Sequence, residues 1–480
     1  MSVIRNTASN IGAALVPVVV SLLTVPAYIA HLGEERYGVM ALIAMLLGYF
    51  GVFDFGLSTA TAQRIAATPP DDPAARRRVF WTAMAANVAM GTLGALLIFP
   101  AAWYFASHGM KAPAALLPEI QAAVVWLVLA LPVMLLTGVL RGALQGAGQF
   151  SAMNLANVIA VPLSQFLPLL AAIWISPSLT VVLPVLYASR AIVLLWYLLI
   201  VVRRVTQGWH LVFDRGEARS LISFGGWMTL SGLVSPLIAG LDRFLIGTMI
   251  GVRQVSHYSV PYQLVERGMF VPAALLQALF PRITAAPDEA ESRALSRRGL
   301  YAVAAICAPP MVLAAVFIHP FLALWISTDF AQSASLIGQV ILAGFWINAL
   351  GYACYNHLTA TGRPRLLATA HVIELVPYCV VLVALMAWLG LIGAALAFAV
   401  RVAADDLLLA YFCGLLAETA LLIVAGTAVF ALAIWLGVGL DLHDTVRVAS
   451  GLLLTAATGG VSLIWLRTEK DSLTAALRFR

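Results

Sequence analysis

The charged residues that interrupt long apolar segments are the side chains of this 480-residue chain best placed to do chemistry. A charge at the centre of a bilayer costs about 2.5–3.5 kcal/mol on insertion scales, so we expect each of these side chains to face protein or a hydrated cavity. A guanidinium can bind phosphate oxygens with two hydrogen bonds, and a carboxylate can bind a cation or a proton. Ten residues form this set: Asp54, Arg190, Asp242, Arg243, Glu266, Arg267, Glu374, Arg401, Asp405 and Asp406.

Two interpretations of this set stay open at the level of sequence. In the functional one, four arginines hold an anionic substrate in a cavity: Arg190, Arg243, Arg267 and Arg401. Five carboxylates then bind a coupling ion or act in gating: Asp54, Asp242, Glu266, Glu374 and Asp405. In the structural interpretation, the charges neutralise one another and hold helices together.

Spacing predicts some of the contacts within this set. Arg401 and Asp405 are four residues apart, so a helix would place them on one face, where they can form an ion pair. The Asp242-Arg243 and Glu266-Arg267 doublets lie at similar depths from the turn between two apolar segments. We therefore expect the two doublets to meet on adjacent antiparallel helices.

Composition fixes the class of element that carries these charges. Apolar residues make up 62% of the chain and charged residues only 10%, against about 25% charged in soluble domains. A membrane-spanning helix needs about 20 mostly apolar residues, and segments of that length recur along the whole chain. The sequence predicts an all-α polytopic membrane protein with about 14 transmembrane helices. It excludes a soluble enzyme, a disordered chain and a disulfide-rich secreted fold.

The distribution of basic residues predicts the orientation of these helices. With the N-terminus in the cytoplasm, 20 of the 28 basic residues fall in cytoplasmic segments and four fall in outer loops. We therefore expect a multi-pass membrane protein with both termini cytoplasmic. The net charge of +6 is then a property of cytoplasmic loops, and no nucleic-acid partner is expected.

Motifs for catalysis, cofactors or metals do not occur in the sequence. Neither Lys111 nor Lys470 follows a glycine, so there is no phosphate-binding P-loop, and no HExxH zinc motif is found. The four cysteines are isolated in apolar segments. We expect no catalytic residue, no cofactor and no metal site, and no predicted loop is long enough for a catalytic domain.

Four short motifs carry a resemblance to a known family. They are Leu32-Gly33-Glu34-Glu35-Arg36-Tyr37-Gly38, Phe53-Asp54-Phe55-Gly56-Leu57-Ser58-Thr59-Ala60, Arg141-Gly142-Ala143-Leu144-Gln145-Gly146 and Leu241-Asp242-Arg243-Phe244-Leu245-Ile246-Gly247. The first motif is echoed at Ile250-Gly251-Val252-Arg253, about 218 residues later. The chain resembles the flippases of lipid-linked oligosaccharide repeat units, in the superfamily that includes MATE multidrug exporters and lipid II flippases.

The resemblance implies a specific organisation and function. It implies two six-helix lobes, residues 1–220 and 221–415, and two extra helices with a short tail, residues 416–480. It implies a flippase that moves undecaprenyl-diphosphate-linked oligosaccharides to the outer leaflet for exopolysaccharide or O-antigen assembly, by alternating access and with an ion gradient. Expected partners are this lipid-linked oligosaccharide, membrane lipids and a polysaccharide polymerase or export machinery.

Two alternative functions and one departure qualify this resemblance. A MATE-type drug/cation antiporter would have twelve spans and an acidic cavity, and a membrane polymerase would need a long outer loop. The first helix here carries no basic residue within its apolar part, unlike lipid II flippases, whose cavity arginines begin there. This difference argues against lipid II as the substrate.

Overall fold

The fold is all-helical over the residues that the structure describes. This computed structural model describes residues 3–49, 54, 56–69, 71–219, 221 and 234–468, and no strand occurs in them. Nine helices in this part of the chain are long and apolar enough to cross a membrane. The all-α, multi-pass fold class is confirmed, whereas the total of about fourteen spans stays a prediction. Lys470, Arg478 and Arg480 of the expected cytoplasmic tail lie outside the described residues.

The first half of the chain contains seven described helices. They are α1 (Val3–Leu32), α2 (Glu34–Tyr49), α3 (Leu57–Ala67), α4 (Pro73–Tyr104), α5 (Leu117–Gly146), α6 (Phe150–Trp174) and α7 (Leu179–Arg204). Asp72 caps α4 by accepting a hydrogen bond from the backbone N–H of Ala75, and Ser178 caps α7 by accepting one from Thr180. Both helices therefore begin where a polar side chain replaces the missing backbone acceptor.

The second half contains nine described helices. They are α8 (Val234–Leu245), α9 (Val252–Gly268), α10 (Phe270–Thr284), α11 (Glu289–Trp325), α12 (Thr328–Ala360), α13 (Pro364–Leu389), α14 (Leu391–Cys413), α15 (Leu416–Gly437) and α16 (Thr445–Thr468). The sequence predicts one span over 256–281, but the structure divides this segment into α9 and α10. The division comes directly after the charged Glu266-Arg267 doublet, where Met269 donates a backbone hydrogen bond to Glu266.

The chain forms two compact units. Unit 1 comprises Met1–Gly240 and Gly247–Ser256, and unit 2 comprises Leu241–Ile246 and His257–Arg480. The division of the chain into three parts at residues 220 and 415 therefore stays a prediction from sequence. The short segment Gly247–Ser256 packs with the N-terminal half, although it follows α8 in the second half of the chain.

Glycines allow the helices of unit 1 to approach one another closely. Gly138, Gly142 and Gly146 recur every four residues along one face of α5. A methyl group at Gly142 would overlap the carbonyl oxygen of Ser58, and one at Gly146 would overlap that of Ala62. The backbones of α3 and α5 are therefore in direct contact, as in the small-residue interfaces of other membrane proteins. This contact explains why the motif at 141–146 contains two glycines.

In unit 2, α12 is the central helix. Its most apolar 18-residue window is 83% buried, the highest share among the nine candidate spans. It packs against α11 and α14. At the contact with α14, the Phe398 ring of α14 lies against Gly344 of α12. The helices that carry the charged residues are thus arranged around an apolar centre.

Candidate functional site

The Asp242-Arg243 doublet lies in a buried polar cluster of unit 2. Asp242 is 1% exposed and accepts a hydrogen bond of 2.6 Å from the hydroxyl of Tyr258 on α9. Arg243 Nε lies 3.9 Å from Asp242 Oδ1, and the Arg243 guanidinium lies 4.0 Å from the centroid of the Tyr262 ring. An ion pair and a cation–π contact together stabilise a charge that the apolar surroundings would otherwise exclude.

The second doublet approaches the first, as spacing predicts. Glu266, on the same helix as Tyr258 and Tyr262, is close enough to interact electrostatically with both Arg243 and Asp242. Glu266 also interacts with Arg267 beside it. Residues 24 positions apart in the sequence therefore share one electrostatic environment.

A second cluster lies between α13 and α14. Arg401 Nη1 is 3.5 Å from Glu374 Oε1, and its guanidinium lies 5.4 Å from the centroid of the Tyr378 ring. The sequence predicts a pair between Arg401 and Asp405, but the structure pairs Arg401 with Glu374 on the neighbouring helix. Asp405 Oδ1 is buried and has no hydrogen bond among the described residues. Glu374, Tyr378, Arg401 and Asp405 line a cavity of about 210 Å³.

Two tyrosines connect these clusters into one network within unit 2. Tyr262 interacts electrostatically with both Arg243 and Arg401, and Tyr378 interacts with Asp242 and Arg401. The ring of Tyr262 also packs on Phe345 at 4.9 Å between centroids. Five of the eight expected intramembrane charges in unit 2 are carboxylates: Asp242, Glu266, Glu374, Asp405 and Asp406. The network is therefore acidic, although it contains Arg243, Arg267 and Arg401.

In unit 1, the two expected site residues have neutral neighbours. Asp54 accepts hydrogen bonds from the backbone N–H of Ser58 at 3.0 Å, from its hydroxyl at 2.9 Å and from the amide of Asn87 at 3.3 Å. Arg190, on α7, interacts with Tyr187, whose ring stacks on Trp126 at 6.1 Å between centroids. No ion pair of Arg190 is found among the described residues. Within the described ranges, therefore, no carboxylate is paired with the charge of Arg190.

A third polar group in unit 1 surrounds the echoed motifs. Gly33 and Gly251 both have positive φ, at 81° and 155°, and each directly precedes a helix, α2 and α9. The two turns contact each other, since a methyl group at Gly38 would overlap the carbonyl oxygen of Val252. Arg253 Nε donates to Glu34 Oε2 at 2.5 Å. The weak sequence echo therefore marks two turns at equivalent positions that pack together.

Two further contacts hold this region of unit 1. Lys111 donates from Nζ to the carbonyl oxygen of Met249 at 2.5 Å. Arg36 forms a bidentate pair with Glu119, at 2.7 and 2.9 Å, and these hydrogen bonds raise the pKa of Arg36 above its ordinary value. Glu34, Arg36 and Arg253 line a cavity of about 390 Å³. We call this set, Glu34, Arg36, Lys111, Glu119 and Arg253, the loop clasp.

Sequence reasoning did not find the tyrosines or the loop clasp. Tyr258 and Tyr262 are four residues apart, which places them on the same helix face as one another and beside Glu266. That spacing is the only signal in the sequence that could have identified them. The clasp residues lie in the loop at Lys111 and in the first turns of α2, α5 and α9, where helical periodicity does not indicate a partner on another element.

Comparison with known proteins identifies the family. A family model described as "Polysaccharide biosynthesis protein" matches residues 31–335. The chain belongs to the polysaccharide biosynthesis protein family. Sequence comparison also finds a relative from Shigella flexneri that is named "Putative O-antigen transporter". It is 28% identical to this chain over 410 residues, which cover 85% of this chain and 97% of the relative.

The fold of this polysaccharide biosynthesis protein is also that of known transporters. The lipid II flippase MurJ, in an inward closed conformation, superposes with a TM-score of 0.71 at 12% identity, covering 97% of this chain and 99% of MurJ. An inward-facing multidrug resistance MATE transporter superposes with a TM-score of 0.66 at 14% identity, covering 86% and 99%. The resemblance read from the four motifs is thereby confirmed at the level of family and fold.

Proposed function

We propose that this polysaccharide biosynthesis protein is a flippase that moves undecaprenyl-diphosphate-linked oligosaccharide repeat units from the cytoplasmic to the outer leaflet of the bacterial inner membrane. The product feeds exopolysaccharide or O-antigen assembly, with a polysaccharide polymerase or export machinery as the receiving partner. The protein works by alternating access, uses an ion gradient and has both termini in the cytoplasm. It is a transporter and not an enzyme.

The observation that carries the proposal is a set of arginines in the apolar segments of a membrane protein of this family, one of them buried and three half-buried. A diphosphate carries negative charge on oxygens that a guanidinium binds in a bidentate manner. Arg190, Arg243, Arg267 and Arg401 supply such groups and are proposed to bind the diphosphate or anionic sugars. The S. flexneri relative, named for O-antigen transport, supports the same substrate class.

The carboxylates are proposed to couple transport to an ion. This set consists of Asp54, Asp242, Glu266, Glu374 and Asp405. In unit 2 they outnumber the arginines, so the network has room for additional positive charge from protons or cations. Binding and release of that charge would alter the repulsion between carboxylates and so favour one conformation over another.

A MATE-type drug/cation antiporter is the second candidate function. The acidic character of the unit 2 network and the TM-score of 0.66 with a MATE transporter favour it. Its substrates are cationic, so four arginines in apolar segments would oppose their binding. An antiporter would also leave the cellular pool of lipid-linked sugars unchanged on deletion.

Deletion of the gene and extraction of lipid-linked intermediates test the two functions. The flippase proposal predicts that repeat units on undecaprenyl diphosphate accumulate, that they stay inaccessible to an impermeant glycosidase in spheroplasts, and that surface polysaccharide is lost. Complementation with the intact gene should reverse all three effects. Normal surface polysaccharide with altered resistance to cationic drugs would contradict the flippase function and support the antiporter.

A further inference from the structure

Three side chains with metal-binding atoms converge between α13 and α14 of unit 2. His371 and Glu374 lie three residues apart on one face of α13, and Asp405 lies on α14, which follows after the single residue Gly390. One ligand atom from each of the three side chains lies within 4.8 Å of the other two. A nitrogen and two carboxylate oxygens thus come from two adjacent helices.

The carboxylates of this triad lack partners for some of their oxygens. The Glu374 side chain is only 10% exposed, and Oε1 faces Arg401 at 3.5 Å. Its other oxygen, Oε2, is buried without a hydrogen bond among the described residues, and so is Asp405 Oδ1. Burial of a carboxylate oxygen without a hydrogen-bond partner is unfavourable, so these oxygens indicate a site for a further positive group.

The charge balance of the two helices indicates the same. Asp406, beside Asp405, is 1% exposed and its Oδ2 is also without a hydrogen bond among the described residues. Three carboxylates, those of Glu374, Asp405 and Asp406, therefore stand near a single arginine, Arg401. Arg401 lies on α14, and the arginine of α13, Arg365, is exposed and lies six residues before His371.

We propose that His371, Glu374 and Asp405 form a binding site for a divalent transition metal of the Zn²⁺ type. The imidazole decides the class of metal, because Zn²⁺ and its neighbours accept nitrogen ligands whereas Na⁺, Mg²⁺ and Ca²⁺ prefer oxygen alone. Around a tetrahedral Zn²⁺ with bonds of about 2.1 Å, ligand atoms stand roughly 3.4 Å apart. The ligand atoms would approach one another by at most about 1.4 Å to reach this geometry, and water would take the fourth position.

Metal binding at this site would also affect transport. A bound metal would occupy Glu374 and Asp405, two of the carboxylates proposed for ion coupling, and would link α13 to α14. Zn²⁺ is then expected to inhibit transport. The binding itself does not depend on the proposed function, because it can be measured on the purified protein without any transported substrate.

Zinc titration of the full-length protein in lipid nanodiscs, with its purification tag removed, tests the site. A chromophoric zinc chelator as competitor should report one tight Zn²⁺ per chain, and zinc should raise the midpoint of thermal unfolding. His371→Ala should weaken this binding at least about tenfold, since it removes a direct ligand. His443→Ala, at an exposed loop histidine, is the matched control and should bind as tightly as the unchanged protein.

Two readouts separate the site from nonspecific binding and from misfolding. X-ray absorption of the zinc complex should show mixed nitrogen and oxygen ligands at about 2.0–2.2 Å, and Asp405→Asn should weaken binding as His371→Ala does. Each variant is first shown to elute as a monodisperse species with an unchanged unfolding midpoint in the absence of zinc. Absence of tight binding to the intact protein, or equal losses in His371→Ala and His443→Ala, would overturn the proposal and leave the proposed transport function untouched.

Discussion

Arg190 and Arg243, both proposed to bind substrate, occupy different electrostatic environments, and this difference predicts different effects on the fold when each is removed. Arg243 is 8% exposed and has Asp242 and the Tyr262 ring as partners. Arg190 has aromatic neighbours and no ion pair among the described residues. Removal of Arg243 is therefore expected to disturb the fold, because it breaks the ion pair with Asp242. Removal of Arg190 breaks no ion pair with a carboxylate among the described residues.

Arg190→Ala is accordingly expected to abolish polysaccharide export while the protein still inserts and folds. Because no ion pair is broken, the free energy of unfolding should change by less than about 1 kcal/mol. Export is measured as surface polysaccharide in the complemented deletion strain, and folding by elution and thermal unfolding in detergent. Arg203→Ala, an exposed arginine at the end of the same helix, is the control and should export normally. Normal export by Arg190→Ala would remove Arg190 from the proposed substrate site.

Arg243→Ala is expected to destabilise the protein by about 3–5 kcal/mol, because it removes the cation beside the buried Asp242 carboxylate and leaves it only the hydrogen bonds from the Tyr258 hydroxyl and the backbone N–H of residue 243. Replacement of both charges, in Asp242→Asn with Arg243→Gln, should recover a large part of this loss. Denaturant unfolding in detergent micelles measures all three proteins. A double variant as unstable as Arg243→Ala would show that the charge of Asp242 is not the cause.

At the scale of the helix, the contact between α3 and α5 depends on glycine more than on any charge. Gly138, Gly142 and Gly146 present a flat face to α3, where the Ser58 and Ala62 carbonyls lie. Ser58 also holds Asp54 through two hydrogen bonds. The glycine face of α5 thus positions a residue proposed for ion coupling.

Gly142→Ala should therefore lower the free energy of unfolding by about 1–3 kcal/mol, since the added methyl group overpacks a backbone contact. Gly48→Ala is the matched control: Gly48 lies in α2 with open space around it, and its substitution should leave stability unchanged or slightly raise it. The measurement is the midpoint of thermal unfolding of each variant, compared with that of the unchanged protein. Equal stability of both variants would show that α3 and α5 move apart at little cost.

At the scale of the whole molecule, the fourteen-span organisation and the cytoplasmic termini are predictions from hydropathy and charge. They place the loop that contains Asp71 in the cytoplasm and the loop between α15 and α16, with His443, outside. Both positions are exposed in the structure. The arrangement can therefore be tested without disturbing a buried contact.

Single cysteines at these two positions, in a variant with the four native cysteines replaced by alanine, should react differently with a membrane-impermeant maleimide. His443→Cys should label in intact spheroplasts, and Asp71→Cys only after permeabilisation. The cysteine-free variant is the background control and must still support export. Labelling of both positions from the same side would contradict the predicted number of spans between them.

The sequence by itself determined the class of this protein. Hydropathy was sufficient to predict an all-α membrane protein, because the backbone polar groups of a segment in lipid must form their hydrogen bonds within a helix. A long apolar segment therefore has essentially one available structure. The four short motifs were sufficient to predict the family. The spacing of the Asp242-Arg243 and Glu266-Arg267 doublets sufficed to predict that they meet, because both flank the same turn.

Only the tertiary structure decided which side chains become partners across helices. Arg401 pairs with Glu374 and not with Asp405, and His371 comes within 4.8 Å of Asp405, 34 residues away. These contacts depend on the rotation of each helix about its axis and on its distance from its neighbour. Both are set by packing, here around the apolar centre of α12, and the periodicity of a single helix does not contain them.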